Sequence, residues 1–147
     1  MSDRSPVLVS ACLLGVPCRY DGSAKASERV LALAGSRAVI PICPEQLGGL
    51  PTPRPPAERR GDRVVTKSGE DVTDVFAQGA QETLRLANLF HCRTAVLKAN
   101  SPSCGCGSVY DGSFTGKLVP GDGLAAALLK ENGVFVLTEA DDLDEIL

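Results

Sequence analysis

An α/β fold over residues 1–147, built as one domain, is predicted by three observations. Short unbroken apolar runs (Val7-Leu8-Val9, Ala38-Val39-Ile40, Ala95-Val96-Leu97) alternate with segments of helical period, and strands buried on both faces read as continuous apolar runs. The stretches between the runs are long enough for the crossover helices that parallel strands require. Each run also leads into a loop carrying Gly, Pro and Cys, where the C-terminal strand ends of such sheets open onto a shared crevice. Together these give a three-layer, Rossmann-like, mostly parallel sheet with helices on both faces.

Each element has its own signal. Pro6 to Ser10 reads as the first buried strand. Lys25 to Ala34 places Val30, Leu31 and Leu33 among helix formers and reads as a helix stopped by Gly35. Arg37 to Ile42 is the second strand. Residues 43–61 are proline-rich and read as a structured loop, because Pro fixes φ and lowers the entropy lost on ordering. Arg63 to Lys67 reads as an edge strand, or as one half of a hairpin with the segment after it. Asp71-Val72-Thr73-Asp74 opens the longest helix, in which Val75, Phe76, Ala80, Leu84 and Ala87 recur at helical spacing. Arg93 to Leu97 is the third strand. In the loop 98–121, Ser108-Val109-Tyr110 and Phe114-Thr115-Gly116 flank Asp111-Gly112, a hairpin turn signal. Asp122 suits the N-cap of a helix over Gly123 to Lys130. Val134 to Leu137 is the last buried strand, and Glu139 to Leu147 reads as a short acidic helix.

Composition narrows the function. With 147 residues and 44% hydrophobic content the chain can bury a core without staples. No stretch approaches the roughly 20 apolar residues of a membrane span, and Met1-Ser2-Asp3-Arg4-Ser5-Pro6 has no apolar leader. The expected compartment is the cytoplasm, where cysteines stay reduced. Six cysteines at irregular spacing then argue for metal or catalysis before disulfides. A net charge of −3 argues against a nucleic-acid surface. A single histidine removes most zinc and His-base chemistries.

Cys12, Cys43 and Cys104 each follow a predicted strand, so the sheet brings them to one crevice. Three thiolates there suit a soft metal, namely zinc, copper(I) or an iron–sulfur cluster, and leave a coordination position open. Cys18 is a fourth ligand, a thiol near the cluster, or a nucleophile tuned by Arg19. Cys92, at a helix–strand junction, reads as a small buried hydrophobe, and Cys106 reads equally as that or as part of the site. Two other signals fail: Gly112 to Lys117 is one residue short of a phosphate loop, and Gly105 to Tyr110 lacks the third glycine of a dinucleotide fingerprint.

The blocks Ser10-Ala11-Cys12-Leu13-Leu14-Gly15 with Cys18-Arg19-Tyr20-Asp21-Gly22, Cys43-Pro44-Glu45 with Gly48-Gly49-Leu50, Pro53-Arg54-Pro55 and Glu58, and Ser101-Pro102-Ser103-Cys104-Gly105 resemble the small bacterial thiouracil desulfidase family. The resemblance runs from about Val9 to Val136, and Cys92 and Cys106 lie outside it. It implies a [4Fe–4S] cluster with three cysteine ligands, assigned here to Cys12, Cys43 and Cys104, and a free fourth iron. It also implies removal of sulfur from 2- or 4-thiouracil without net redox, with a small thiopyrimidine as the substrate. On that reading the open iron binds the thiocarbonyl sulfur and water attacks the carbon. Glu45 is the best placed proton acceptor, Ser101 relays a proton or binds substrate, and Asn100 reads the pyrimidine edge with its amide. An ion pair with Arg54 or Arg19 is the plainer role for Glu45, and a turn before Pro102 is the plainer role for Ser101. Arg19, Tyr20, Asp21, Arg54 and Glu58 hold the loops. Two rival functions remain. One is a non-catalytic iron–sulfur or zinc protein whose site Cys18 closes. The other is desulfuration of thiolated tRNA nucleotides through a patch of Arg54, Arg59, Arg60, Arg63 and Lys67.

Overall fold

The computed structural model describes residues 5–146. The stretch read as lacking a leader therefore lies mostly outside the described residues, as does Leu147. Four parallel strands form the central sheet: β1 (Val7–Ser10), β2 (Val39–Ile42), β5 (Thr94–Leu97) and β8 (Phe135–Thr138). Their spatial order is β2-β1-β5-β8. β1 pairs with β2 from Val7↔Val39 to Ser10↔Ile42, and with β5 from Val7↔Thr94 to Val9↔Val96. The chain thus runs outward from β1 to β2 and returns to β5 on the other side of β1. This reversal is the topological switch point where open α/β sheets bind ligands.

Helices cover both faces, as the apolar runs predict. Helix α1 (Glu28–Ser36) packs Val30 and Leu33 with Val7, Val9, Val96 and Leu143 on one face. Helices α3 (Thr73–Leu89) and α4 (Leu124–Glu131) pack Ala87, Ala126 and Leu129 with Leu8, Ala95, Leu97 and Val136 on the other. Alternate residues of β1 therefore enter opposite cores, as the period of two in a strand requires. Leu8, Leu33 and Leu129 are fully buried, each worth roughly 1.5–3 kcal/mol of transfer free energy. No helix among the described residues is long and apolar enough to cross a membrane.

Several boundaries differ from the sequence reading. Gly35 lies inside α1, which Ser27 caps by accepting the Val30 N–H. A four-residue helix, α2 (Pro44–Leu47), follows β2 directly where a loop was expected, with Pro44 in its first turn. That position tolerates proline because its N–H would have no helical partner. β4 (Arg63–Thr66) pairs along its length with β3 (Ala57–Arg60), the segment before it in the chain, and meets the segment after it through a single antiparallel bridge, Val65 to Asp71. β6 (Ser108–Tyr110) pairs with β7 (Leu118–Pro120), so Phe114 to Gly116 belong to the connecting loop and not to a strand. Gly123 is the N-cap of α4. Asp122 instead accepts the Gly107 N–H at 2.8 Å and pairs with Lys130 at 3.0 Å. The C-terminal segment forms only a 3₁₀ turn over Asp144–Ile146.

Candidate active site

The strand ends build one cavity of ≈ 440 Å³ beyond β1, β2 and β5. β1 ends at Ser10 and turns through a 3₁₀ segment, Ala11–Leu14, that carries Cys12. β2 delivers Cys43 as the N-cap of α2 and Glu45 in its first turn. β5 leads through Lys98 and Asn100 to Ser101, Ser103 and Cys104. Cys12, Cys43, Cys104, Glu45, Asn100 and Ser101 all line this cavity. Cys18 lines it too, whereas Cys92 and Cys106 do not. Cys92 is buried between α3 and β5, and the Cys106 thiol turns to the Val136 carbonyl at 3.7 Å.

The thiols are distinguished by their partners. Ser10 Oγ donates to Cys104 Sγ at 3.2 Å and accepts the Lys98 N–H at 2.9 Å. Burial pushes the Cys104 thiol up to about 12, against the hydroxyls of Ser10 and Ser103 that favour its thiolate. Burial also raises Cys12, although Lys98 and Arg19 pull it back. Cys18 is raised by burial and by the adjacent Cys43 thiol. The Cys43 thiol donates to the Cys18 carbonyl at 3.7 Å. A metal charge reverses this trend, since coordinated thiols are deprotonated.

Arg54 ties two of these loops together. Its buried guanidinium donates from Nε to Glu45 Oε1 at 2.9 Å and from Nη2 to the Cys18 carbonyl at 2.9 Å, with Cys43 Sγ 3.9 Å away. Glu45 thus makes the ion pair with Arg54 that the sequence admitted as its plainer role. Its second oxygen is engaged elsewhere: Ser103 Oγ donates to Glu45 Oε2 at 2.9 Å. Ser101 Oγ accepts the N–H groups of Ser103 and Cys104 at 3.1 and 2.9 Å and lies 3.0 Å from Ser103 Oγ. The Ser103 hydroxyl also lies 3.7 Å from Cys104 Sγ, and either serine can donate across the Ser101–Ser103 contact. A hydroxyl chain thus joins Ser101 through Ser103 to Glu45. Sequence reasoning singled out its two ends and missed Ser103 and Ser10. The S-P-S-C spacing that brings two hydroxyls beside one cysteine was the available signal for Ser103.

Asn100 adopts φ 69°, the left-handed region in which Asn is several-fold enriched, and its side-chain amide makes no hydrogen bond among the described residues. Gly105 and Gly107, beside Cys104 and Cys106, donate their N–H groups to Ser101 O at 2.8 Å and to Asp122 Oδ1 at 2.8 Å. Gly105 is needed for close approach: a Cβ there would lie 2.7 Å from Ser101 O. Of the basic residues weighed as a nucleic-acid patch, Arg60 and Arg63 stand opposite each other on β3 and β4, and Lys67 lines the cavity. Arg54 is buried, Arg63 pairs with Asp71, and Arg59 and Arg60 bind the backbone carbonyls of Asp122 and Gly112.

A parallel α/β domain that gathers four thiols and a clamped carboxylate at its switch point belongs to the class of α/β domains with a cysteine-lined ligand crevice. Comparison with known proteins narrows the class. The chain matches the family model described as 2-thiouracil desulfurase over residues 7–141, and it belongs to that family. It is 45% identical to an uncharacterised protein, YbbK, of Bacillus subtilis (strain 168), over 96% of this chain and 99% of that one. It is 48% identical to a solved structure of TudS, a [4Fe-4S]-dependent thiouracil desulfidase, which it matches with a TM-score of 0.89 over 97% of this chain and 95% of that one.

Proposed function

We propose that the chain acts as one catalytic domain that converts 2- or 4-thiouracil to uracil and sulfide, using a [4Fe–4S] cluster held by Cys12, Cys43 and Cys104. The observation that carries this reading is the convergence of those thiols with the Arg54–Glu45–Ser103–Ser101 array on one cavity, in a chain of the 2-thiouracil desulfurase family. Among the described residues no three His, Cys, Asp or Glu side chains converge on a single-ion site, whereas Cys12, Cys18, Cys43 and Cys104 all line this cavity. Soft thiolates select zinc, copper(I) or iron–sulfur centres.

Held by Cys12, Cys43 and Cys104, the cluster would supply a thiophilic Lewis acid, with an iron left free by the protein, toward the thiocarbonyl sulfur. The chain's own residues do the rest. Asn100 offers its amide to the pyrimidine edge. Glu45, held by Arg54, takes a proton from the attacking water. Once protonated, Glu45 reverses its bond with Ser103, and Ser103 and Ser101 pass the proton on toward the departing sulfur. Water supplies the oxygen of uracil, sulfur leaves as sulfide, and no electrons are exchanged.

Glu45→Gln keeps the side-chain volume and removes the base. After anaerobic reconstitution it retains the irons per chain and the cluster absorption of the unmodified protein and releases no sulfide from 4-thiouracil. Full turnover by this variant refutes the role of Glu45. The rival closed site has a specific observation behind it, since Cys18 also lines the cavity. Cys18→Ser separates the two: full iron content supports three ligands, and its loss supports four.

A further inference from the structure

The cavity has a wall that the mechanism leaves unused. The chain contains four Phe, two Tyr and no Trp, yet Tyr20, Tyr110 and Phe114 all line this one cavity. Phe114 is held there by unusual means. Its φ is 59°, a left-handed conformation rare for a bulky side chain and kept only where the surroundings impose it. Glu58 imposes it. One carboxylate oxygen, Oε1, accepts the N–H groups of both Gly112 and Phe114, at 3.0 and 3.1 Å. Arg60 Nη2 donates to the Gly112 carbonyl at 2.8 Å, and a Cβ on Gly112 would lie 2.9 Å from Arg59 O. The loop between β6 and β7 is thereby clamped onto β3. Phe114 is half-buried while Ser113 and Thr115 on either side are exposed.

We propose that Phe114 is the platform on which the substrate's pyrimidine ring stacks, and that Glu58 is the positioning residue that fixes it there. The proposal rests on the desulfuration reading above. A thiopyrimidine is planar and small. Once its sulfur is directed to the metal and its edge to Asn100, its remaining contact area is its two faces, and an aromatic ring is the side chain suited to a face. A hydrocarbon platform does not read which ring carbon bears sulfur. Losing it therefore weakens 2- and 4-thiouracil by the same factor.

The test combines uracil calorimetry on the reconstituted protein with sulfide release from 4-thiouracil. In Phe114→Ala the Kd for uracil and the KM for 4-thiouracil rise together by roughly 10- to 100-fold, as loss of base–aromatic stacking does, while kcat and irons per chain stay unchanged. Phe114→Tyr restores binding and Phe114→Leu does not. Glu58→Ala gives part of the loss and adds nothing further to Phe114→Ala. An unchanged Kd in Phe114→Ala, restoration by leucine, or loss of iron in Phe114→Leu overturns the platform. Absence of uracil binding by the unmodified protein overturns it too. Uracil binding that depends on Phe114 in a protein that releases no sulfide keeps the platform and refutes the desulfuration reading.

Discussion

Gly79 lies in the middle of α3 and does not itself line the cavity, yet it packs against Pro44 and so fixes where Cys43 and Glu45 stand. A Cβ at Gly79 would lie 1.9 Å from Pro44 O and 2.9 Å from its carbonyl carbon, and a Cβ at Gly48 would lie 2.3 Å from Val75 O. Helices α2 and α3 therefore meet backbone to backbone. The obstructing atom is a main-chain carbonyl, which cannot swing aside as a side chain can. In Gly79→Ala the contact has to open from 1.9 Å to at least 3.0 Å, and a displacement of about 1 Å in a catalytic constellation costs on the order of 10²-fold in rate. Stability changes less, because overpacking costs about 1–3 kcal/mol and alanine returns about 1 kcal/mol of helix propensity. The expected variant is folded, melts a few degrees lower at most, and after anaerobic reconstitution has lost about two orders of magnitude in sulfide release. Gly35→Ala is the control. Gly35 also lies in a helix, with nothing within 4 Å of its would-be Cβ, so activity is unchanged and stability rises by about 0.5–1 kcal/mol. Full activity and iron content in Gly79→Ala would refute the claim that this helix contact sets the site.

Other outcomes depend on single contacts. Arg54→Ala strands Glu45 without its counter-charge; with the Arg54 side chain 3% exposed, unfolding in urea should show a loss of about 3 kcal/mol, and a loss near zero contradicts the clamp. Ser103→Ala breaks the hydroxyl chain to Glu45 and lowers sulfide release by roughly 10²-fold with the cluster spectrum intact. Cys92→Ala and Cys106→Ser keep full iron, since neither thiol reaches the cavity, whereas loss of Cys12, Cys43 or Cys104 abolishes it. In metal-free protein the Cys104 thiol, raised to about 12 by burial, makes stability fall with rising pH. Below the ordinary thiol range both folded and unfolded chains keep the proton. Above it only the unfolded chain ionises, removing up to about 1.4 kcal/mol per pH unit from this residue. Urea midpoints at pH 8 and 10 check the sign, and a rise with pH refutes it.

The buried strands were legible because continuous apolar runs have one good explanation, a sheet covered on both faces. The cysteines were legible because three of them follow such runs. β3 was not, since Ala57-Glu58-Arg59-Arg60 follows Pro55-Pro56 and has no apolar alternation. Its order comes from pairing with β4 and from the loop docked on Glu58 and Arg60. α2 was hidden because a proline just after a cysteine reads as loop, although Pro is at home in a first helical turn. The Asp111-Gly112 pair signalled a tight turn, but Glu58 captures two amides of that segment and holds it as a longer loop. Gly79 reads as a weak point in a helical pattern, and only the packing of α2 shows why a side chain is barred there. What the sequence concealed is in each case a long-range contact, which local propensity does not encode.

The array at Cys104 also orders events during synthesis. Cys12 and Cys43 leave the ribosome early, but Cys104 is set between Ser10 of β1 and the start of α4, where a Cβ on Gly123 would lie 2.8 Å from the Cys104 amide. β1 finds its partner β5 only after some ninety residues have been made, and loop closure over such spans precedes any gain from the contact. The nascent chain therefore exposes two thiols long before the third is in place. Under the proposed ligation by Cys12, Cys43 and Cys104, iron loading is a late step, performed on a nearly finished molecule.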